Sequence, residues 1–155
     1  MAHPEHTAPL LRLLVLASRT MTDGLQQALV ADGFDDHRLA HHQVMPNIPD
    51  EGIRLTGLAE RAGMTKQAMA ELVADLERLG YLRREPDPAD GRAKLIRFTQ
   101  RGQRAVEAAL RAFEDMEADL AARLGPTAAR SLRRSLLHIA GDGSAPPERP
   151  RSRLR

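Results

Sequence analysis

Residues 55–102 read LTGLAERAGMTKQAMAELVADLERLGYLRREPDPADGRAKLIRFTQRG, and the order of segments in this stretch decides the fold. Two short helical segments come first, then two strand-like segments around a turn, then the start of a longer helix. This order is typical of a winged helix-turn-helix. Such a unit presents a helix and a hairpin side by side, so the stretch points to a protein that binds DNA.

The second helical segment is predicted to be a recognition helix over about residues 65–79. Thr65 is a favourable N-cap residue, and Gly80 is a favourable residue just past a helix end. A helical projection places one apolar face on Ala68, Met69, Leu72, Leu76 and Leu79. The opposite face carries Gln67, Ala70, Ala74 and Glu77, flanked by Lys66 and Glu71. Its small alanines would let the helix backbone approach the floor of a major groove.

The segments on either side of this helix complete the predicted winged unit. The preceding helix is expected to start at an N-cap Thr56 and to end near Ala62, before Gly63. The strand-like segments cover residues 81–85 and 93–98, with the turn PDPADGR at 86–92 between them, so the wing covers about 83–97. Arg92 is the expected cation of the wing. Asp90 lies two residues before it and is predicted to orient its guanidinium by a charge-assisted hydrogen bond.

Long apolar helices are predicted to flank the DNA-binding lobe, which covers about residues 53–101. The first, about 9–32, has an apolar pattern too wide for a helix that covers one core, so part of it should meet another subunit. A shorter helix is expected between Asp35 and Pro46. After Thr99, a helix has apolar residues about every 3.5 positions, which suits helix-to-helix pairing. A final helix should end at Gly141, which predicts dimerisation helices at about 9–32 and 102–141.

Composition agrees with this organisation. The chain has 155 residues, of which 42% are hydrophobic but only 3% aromatic, favouring a mainly α fold with a small β-hairpin wing. One domain is predicted over residues 9–141, with a flexible N-terminus at 1–8 and a disordered basic tail at 142–155. The net charge of +2 does not by itself indicate a nucleic-acid binder, so any basic surface must come from local clustering. The polar start and the absence of a long apolar run predict a cytoplasmic protein without a membrane partner.

Taken together, the helix-turn-helix, the flanking helices and the motif DPADGRAKLIRFTQRG resemble the MarR (multiple antibiotic resistance regulator) family. The similarity covers about residues 9–141. It implies a homodimeric transcriptional regulator, usually a repressor, that binds a palindromic operator in double-stranded DNA and can respond to a small-molecule effector. At matching positions it implies DNA contacts from Thr65, Lys66, Gln67, Ala70 and Glu71, with Arg92 inserted into the minor groove and supported by Asp90. Gly91 departs from the family pattern, because many members have a second arginine there.

Other interpretations of the same residues remain open. The winged helix could serve protein interaction without specific DNA binding, with Lys66, Gln67 and Arg92 merely solvated. His37, His41 and His42 have a spacing that permits a metal, but the sequence supplies no clear further ligands, so no metal or cofactor is predicted. No nucleophile–base pair or phosphate-binding glycine loop is evident, so the chain is not expected to be an enzyme. No effector site is assigned to Arg12, Arg19 or Arg38, and solvation is favoured over DNA contact for the tail arginines Arg149, Arg151, Arg153 and Arg155.

Overall fold

The computed structural model describes residues 8–141 of the chain. Five α-helices and three β-strands make it mainly helical with a small sheet, which confirms the predicted fold class. The helices are α1 (Leu10–Ala31), α2 (Leu55–Arg61), α3 (Lys66–Arg78), α4 (Gln100–Leu124) and α5 (Pro126–Ala140). The predicted tail at 142–155 and all but the last residue of the predicted flexible N-terminus lie outside the described residues.

The sheet contains one strand more than the predicted hairpin. Its strands are β1 (Ile53–Arg54), β2 (Leu82–Asp87) and β3 (Asp90–Phe98), in the spatial order β1-β3-β2 and antiparallel throughout. The predicted turn at 86–92 is too long, since only Pro88 and Ala89 separate the two strands of the wing. The Asp87 carboxylate accepts a hydrogen bond from the Ala89 backbone at 2.9 Å, which closes this turn tightly.

Two local predictions, one about a helix start and one about a whole helix, are wrong. Helix α2 begins at Leu55 with Arg54 as its N-cap, so Thr56 lies inside the first turn instead of capping it. The helix expected between Asp35 and Pro46 is replaced by two short 3₁₀ helices, Leu39–Gln43 and Met45–Asn47. Pro46 cannot donate a backbone hydrogen bond, and the His41 ring accepts one from the Arg38 backbone at 3.1 Å, so local bonding favours tight turns here.

The described chain forms two compact units, residues 8–116 and residues 117–141. In the larger unit, α2, α3, the sheet and the first part of α4 share one apolar core. Helix α4 packs through a small-residue face, in which Gly102, Ala105, Ala108 and Ala112 are buried. These small side chains let neighbouring backbone approach the helix closely. The smaller unit contains the end of α4 and helix α5, which begins after Gly125 and ends before Gly141, as predicted for the last helix.

Large apolar side chains remain exposed on the flanking helices. In α1 only Leu25 and Leu29 are buried, which agrees with the prediction that its apolar pattern is wider than one core requires. In α4, the apolar residues that recur about every 3.5 positions do not form the face that packs on the core. Two of them, Leu110 and Phe113, are 47% and 44% exposed. The other exposed large apolar residues of these helices are Leu10, Leu11, Leu13, Val15, Leu16, Met21, Val30, Leu124, Leu132, Leu136, Leu137 and Ile139. Within residues 8–141, no helix is both long and apolar enough to cross a membrane.

Candidate nucleic-acid interface

The first turn of α3 presents polar side chains to solvent. The Thr65 hydroxyl oxygen accepts a hydrogen bond from the Ala68 backbone at 3.2 Å, which confirms Thr65 as the N-cap. Lys66, Gln67 and Glu71 are exposed, whereas Ala70 is half-buried. The end of the helix that would enter a groove therefore carries the side chains predicted for it, with Ala70 at the edge of that surface.

The opposite face of α3 holds the helix against the core. Met69, Val73 and Leu76 are fully buried, and Ala68, Leu72 and Leu79 are half-buried. Val73 was not among the residues predicted to pack, but it lies one helical turn after Met69 and therefore on the same face. Glu77, predicted to point outward, is half-buried because its carboxylate pairs with Arg84 at 3.0 Å.

A carboxylate in the middle of α3 ties the helix to the histidine-rich segment. Asp75 lies 2.5 Å from Arg78, 3.0 Å from the Nε2 atom of His41 and 3.4 Å from Arg38. Because Nδ1 of His41 accepts from the Arg38 backbone, the neutral ring carries its hydrogen on Nε2 and donates it to Asp75. The hydrogen bonds from Arg78 and then from His41 lower the pKa of Asp75. His41 is completely buried, so its hydrogen bond to Asp75 positions the recognition helix.

The wing contains an irregularity that exposes Arg92. Pro86 pairs with Lys94 but the next residue, Asp87, pairs with Asp90, so Gly91, Arg92 and Ala93 have no partners on β2. Arg92 is exposed, and among the described residues its guanidinium has no hydrogen bond or ion pair. The predicted bond from this guanidinium to Asp90 is wrong. The Asp90 carboxylate accepts from the Arg92 backbone at 3.1 Å instead, because the bulge brings that N–H toward it.

Arg54 is the residue that pairs with the carboxylates of the wing tip. Its Nε and Nη2 atoms lie 2.7 Å and 2.5 Å from Oδ2 of Asp87, and Nη2 lies 3.6 Å from Asp90. The backbone hydrogen bond from Ala89 and the hydrogen bond from Arg54 lower the pKa of Asp87, which stays ionised between them. The sequence did not predict a role for Arg54 in the wing, because this residue lies on the short edge strand β1, 33 residues before its partner Asp87.

A cationic cleft lies between the start of α3 and the wing. It has a volume of about 280 Å³, and its lining includes the four basic residues Arg54, Lys66, Arg84 and Lys94. Arg54 and Arg84 are paired with carboxylates, whereas no ion pair forms to Lys66 or Lys94 within residues 8–141. Alternation along β3 places Lys94 on the same face as Ile96. Lys94 therefore adds an unpaired cation beside the predicted Lys66 and Arg92, a contribution that the sequence analysis did not identify.

The base of the wing is fixed to α4 by a second polar cluster. Arg101 donates to both carboxylate oxygens of Asp36 at 3.0 Å and to the Leu79 carbonyl at 2.6 Å. Its guanidinium carbon also lies 4.5 Å from the ring centre of Tyr81, whose hydroxyl donates to Asp36 at 2.5 Å. Burial of Asp36 acts against ionisation, but the hydrogen bond from Tyr81 and the charge of Arg101 outweigh it and lower its pKa. Burial and the hydrogen bond to Asp36 raise the pKa of Tyr81, so the phenol stays protonated.

The three neighbouring histidines, His37, His41 and His42, are packed together. The His37 ring stacks on His42 at 5.0 Å and meets His41 edge-on at 5.1 Å. His37 is only 4% exposed, and its Nε2 atom lies 3.0 Å from the sulfur of Met45. Burial lowers the pKa of His37 to about 4, with further lowering from His42 and His41. Across residues 8–141, no group of three or more His, Cys, Asp or Glu side chains is arranged to hold a metal.

Comparison with known proteins agrees with this geometry. Residues 39–93 match the family model described as MarR family. The transcriptional regulator HosA of Escherichia coli O111:H- is 36% identical over 84 residues, which cover 54% of this chain. The chain spans 62% of the length of HosA.

Solved structures extend the similarity beyond the matched segment. A MarR-family transcriptional regulator from Rhodococcus sp. RHA1 is 26% identical, with a TM-score of 0.63 over 83% of this chain and 89% of its own. CouR from Rhodococcus jostii RHA1, solved with p-coumaroyl-CoA bound, is also 26% identical, with a TM-score of 0.63 over 84% of this chain and 90% of its own. In sequence, wing motif and fold, the chain is therefore similar to transcriptional regulators of the MarR family.

Proposed function

We propose that this protein is a DNA-binding transcriptional regulator that acts as a homodimeric repressor on a palindromic operator. The observation that carries the proposal is the cationic cleft, where the exposed start of α3 lies beside a wing with unpaired basic side chains. Similarity to known proteins supports it, because HosA and the MarR-family protein from Rhodococcus sp. RHA1 are both transcriptional regulators by name. The chain carries a net charge of only +2, so this local cluster supplies the basic surface that DNA requires.

Each end of the interface has its own part in the proposed complex. Helix α3 enters the major groove, where the exposed Gln67 can contact a base edge and the Thr65 hydroxyl hydrogen can reach a phosphate. Glu71 and Ala70 lie farther along the same helix, at the border of this contact. The unpaired Arg92 reaches the neighbouring minor groove, while Lys66 and Lys94 lie where they can neutralise phosphates between the two grooves.

The homodimer and the effector also belong to the proposal. Apolar side chains of α1, such as Leu13 and Leu16, are exposed to solvent within residues 8–141. A second copy of this chain, packed against α1, would bury them. CouR holds p-coumaroyl-CoA, which supports a small-molecule effector for this chain without identifying it. A regulator of this kind works in the cytoplasm and needs no enzymatic activity.

Selection from a pool of random-sequence DNA duplexes tests the proposed function directly. The full-length protein should enrich duplexes that contain two inverted half-sites about one DNA turn apart, because a two-fold dimer repeats its contacts. Light scattering of the free protein should show a dimer. If no sequence is enriched over the starting pool at low salt, the proposal fails and a protein-interaction role for the winged helix is favoured instead.

Replacing Arg92 with alanine should weaken binding to a selected duplex at least about tenfold, because one groove cation is lost from each half-site. The slope of log affinity against log salt should become shallower by about 1.8, since the dimer loses one phosphate-neutralising cation at each half-site. Fluorescence anisotropy across a potassium chloride series measures both quantities. Arg104→Ala is the matched control, because it removes one exposed positive charge from α4 without touching the cleft. An Arg92→Ala protein that binds like this control would show that the wing cation does not touch DNA.

A further inference from the structure

We infer that Arg54 is a positioning residue of the wing, which masks the two carboxylates at the wing tip so that Arg92 can approach DNA. This inference rests on the proposed function. Arg54 lies on the edge strand β1, outside the recognition helix and outside the wing hairpin. Its guanidinium nevertheless bridges the two acidic residues that flank the wing turn, Asp87 and Asp90.

The geometry makes Arg54 the centre of the wing tip. Asp87 is 8% exposed, and it uses one carboxylate oxygen for the Ala89 backbone and the other for Arg54. Asp90 lies 3.6 Å from the same guanidinium and accepts the backbone N–H of Arg92. The ion pair therefore holds both carboxylates that shape the turn, and one of them fixes the backbone of the exposed arginine.

The net charge of the wing tip affects how the wing can approach DNA. The wing tip contains the carboxylates of Asp87 and Asp90 but only the single guanidinium of Arg92, so by itself it is negative. A negative tip would be repelled by phosphates. Arg54 brings the local charge to neutrality. Gly91 increases the need for this masking, because the tip has no second basic side chain of its own.

Arg54 differs from the unpaired cations of the cleft. Two of its nitrogen atoms, Nε and Nη2, are already bound to Asp87, and its side chain is 46% exposed. Lys66, Lys94 and Arg92 have no ion pairs within the described part of the chain and remain available for phosphates. Arg54 therefore acts on DNA through the wing acids, and its replacement should matter only while those acids are present.

The experiment compares four full-length proteins on one duplex selected by the wild-type protein from the random pool. They are the wild type, Arg54→Gln, the double variant Asp87→Asn with Asp90→Asn, and the triple variant that combines all three changes. Affinity is measured by fluorescence anisotropy across a potassium chloride series, and thermal unfolding reports whether each protein is folded. Arg54→Gln should weaken binding about tenfold, through uncompensated repulsion of phosphates by the carboxylates.

The triple variant decides between masking and direct contact. With the carboxylates neutralised, loss of Arg54 should change affinity less than twofold relative to the double variant and leave the salt slope unchanged. This comparison holds even if Arg54→Gln alone does not fold. A tenfold loss in the neutral background, with a salt slope shallower by about 1.8 for the two copies in a dimer, would make Arg54 a direct phosphate contact and overturn the inference. A folded Arg54→Gln protein with wild-type affinity would also overturn it, whereas failure of the wild type to select any duplex would reject the proposed function itself.

Discussion

Replacing Gly102 with alanine is expected to lower the free energy of unfolding by about 3 kcal/mol, because the site has no room for a methyl group. A Cβ atom at this position would overlap the carbonyl oxygen of Tyr81 and lie 3.0 Å from Cδ1 of Phe98. The Tyr81 carbonyl cannot move away freely, since it accepts hydrogen bonds from the backbone and the hydroxyl of Thr99 at 3.0 Å and 3.1 Å. Urea unfolding followed by circular dichroism measures the change.

Gly91→Ala provides the matched control for this substitution. Gly91 is exposed and does not have a positive φ, and a methyl group added there would meet no other side chain or distant backbone within 4 Å. The same chemical change should therefore alter stability by less than about 0.5 kcal/mol there. Equal effects at the two glycines would show that α4 does not pack as closely against the base of the wing as the structure has it.

The close approach at Gly102 also matters for the interface. The first turn of α4 carries Arg101, which holds the Leu79 carbonyl at the end of the recognition helix and the Asp36 carboxylate. A forced shift of this turn would move the base of β3, which ends at Phe98 only a few residues earlier. Loss of stability and loss of wing alignment should therefore occur together in Gly102→Ala.

Locally determined features of the interface could be predicted from the sequence. Thr65 caps α3 through the Ala68 backbone three residues away, and the 3.6-residue periodicity placed Met69 and Leu76 in the core. Helix α4 was also predicted from Thr99 onward, where it begins at Gln100. The fold class followed from these local signals and from the wing motif.

Features that depend on distant residues could not be predicted. Arg54 and Asp87 are 33 residues apart, and a two-residue strand such as β1 is too short to show an alternating pattern. The Asp90–Arg92 hypothesis assumed a regular strand, whereas residues 91–93 are unpaired and Asp90 accepts the backbone N–H of Arg92 instead of its guanidinium. The hydrogen bond between His41 and Asp75 could not be predicted either, because the two residues are 34 positions apart in the chain.

Acid is expected to destabilise the protein between about pH 6.5 and pH 4, because the buried His37 resists protonation. The pKa of His37 is 6.5 in an unfolded chain but about 4 in the folded protein, since burial disfavours the charged ring. As the pH falls through 6.5 the unfolded state binds a proton that the folded state rejects, so the free energy of unfolding decreases until about pH 4. The total loss for His37 is about 3 kcal/mol, and His42, whose pKa is also lowered, adds to it in the same direction.

Urea unfolding at a series of pH values tests this expectation with two variants. His37→Leu removes the buried titrating ring, so its stability should depend less on pH across this window and retain only the remaining contribution of His42. His138→Gln changes an exposed histidine of α5 and should leave the wild-type dependence intact. Asp36, Asp75 and Asp87 do not confuse the result, because their pKa values are lowered from 3.8 and their stabilising contributions are lost only at more acidic pH. A wild-type stability that is flat from pH 7 to pH 4.5 would mean that His37 is not held neutral in the folded protein.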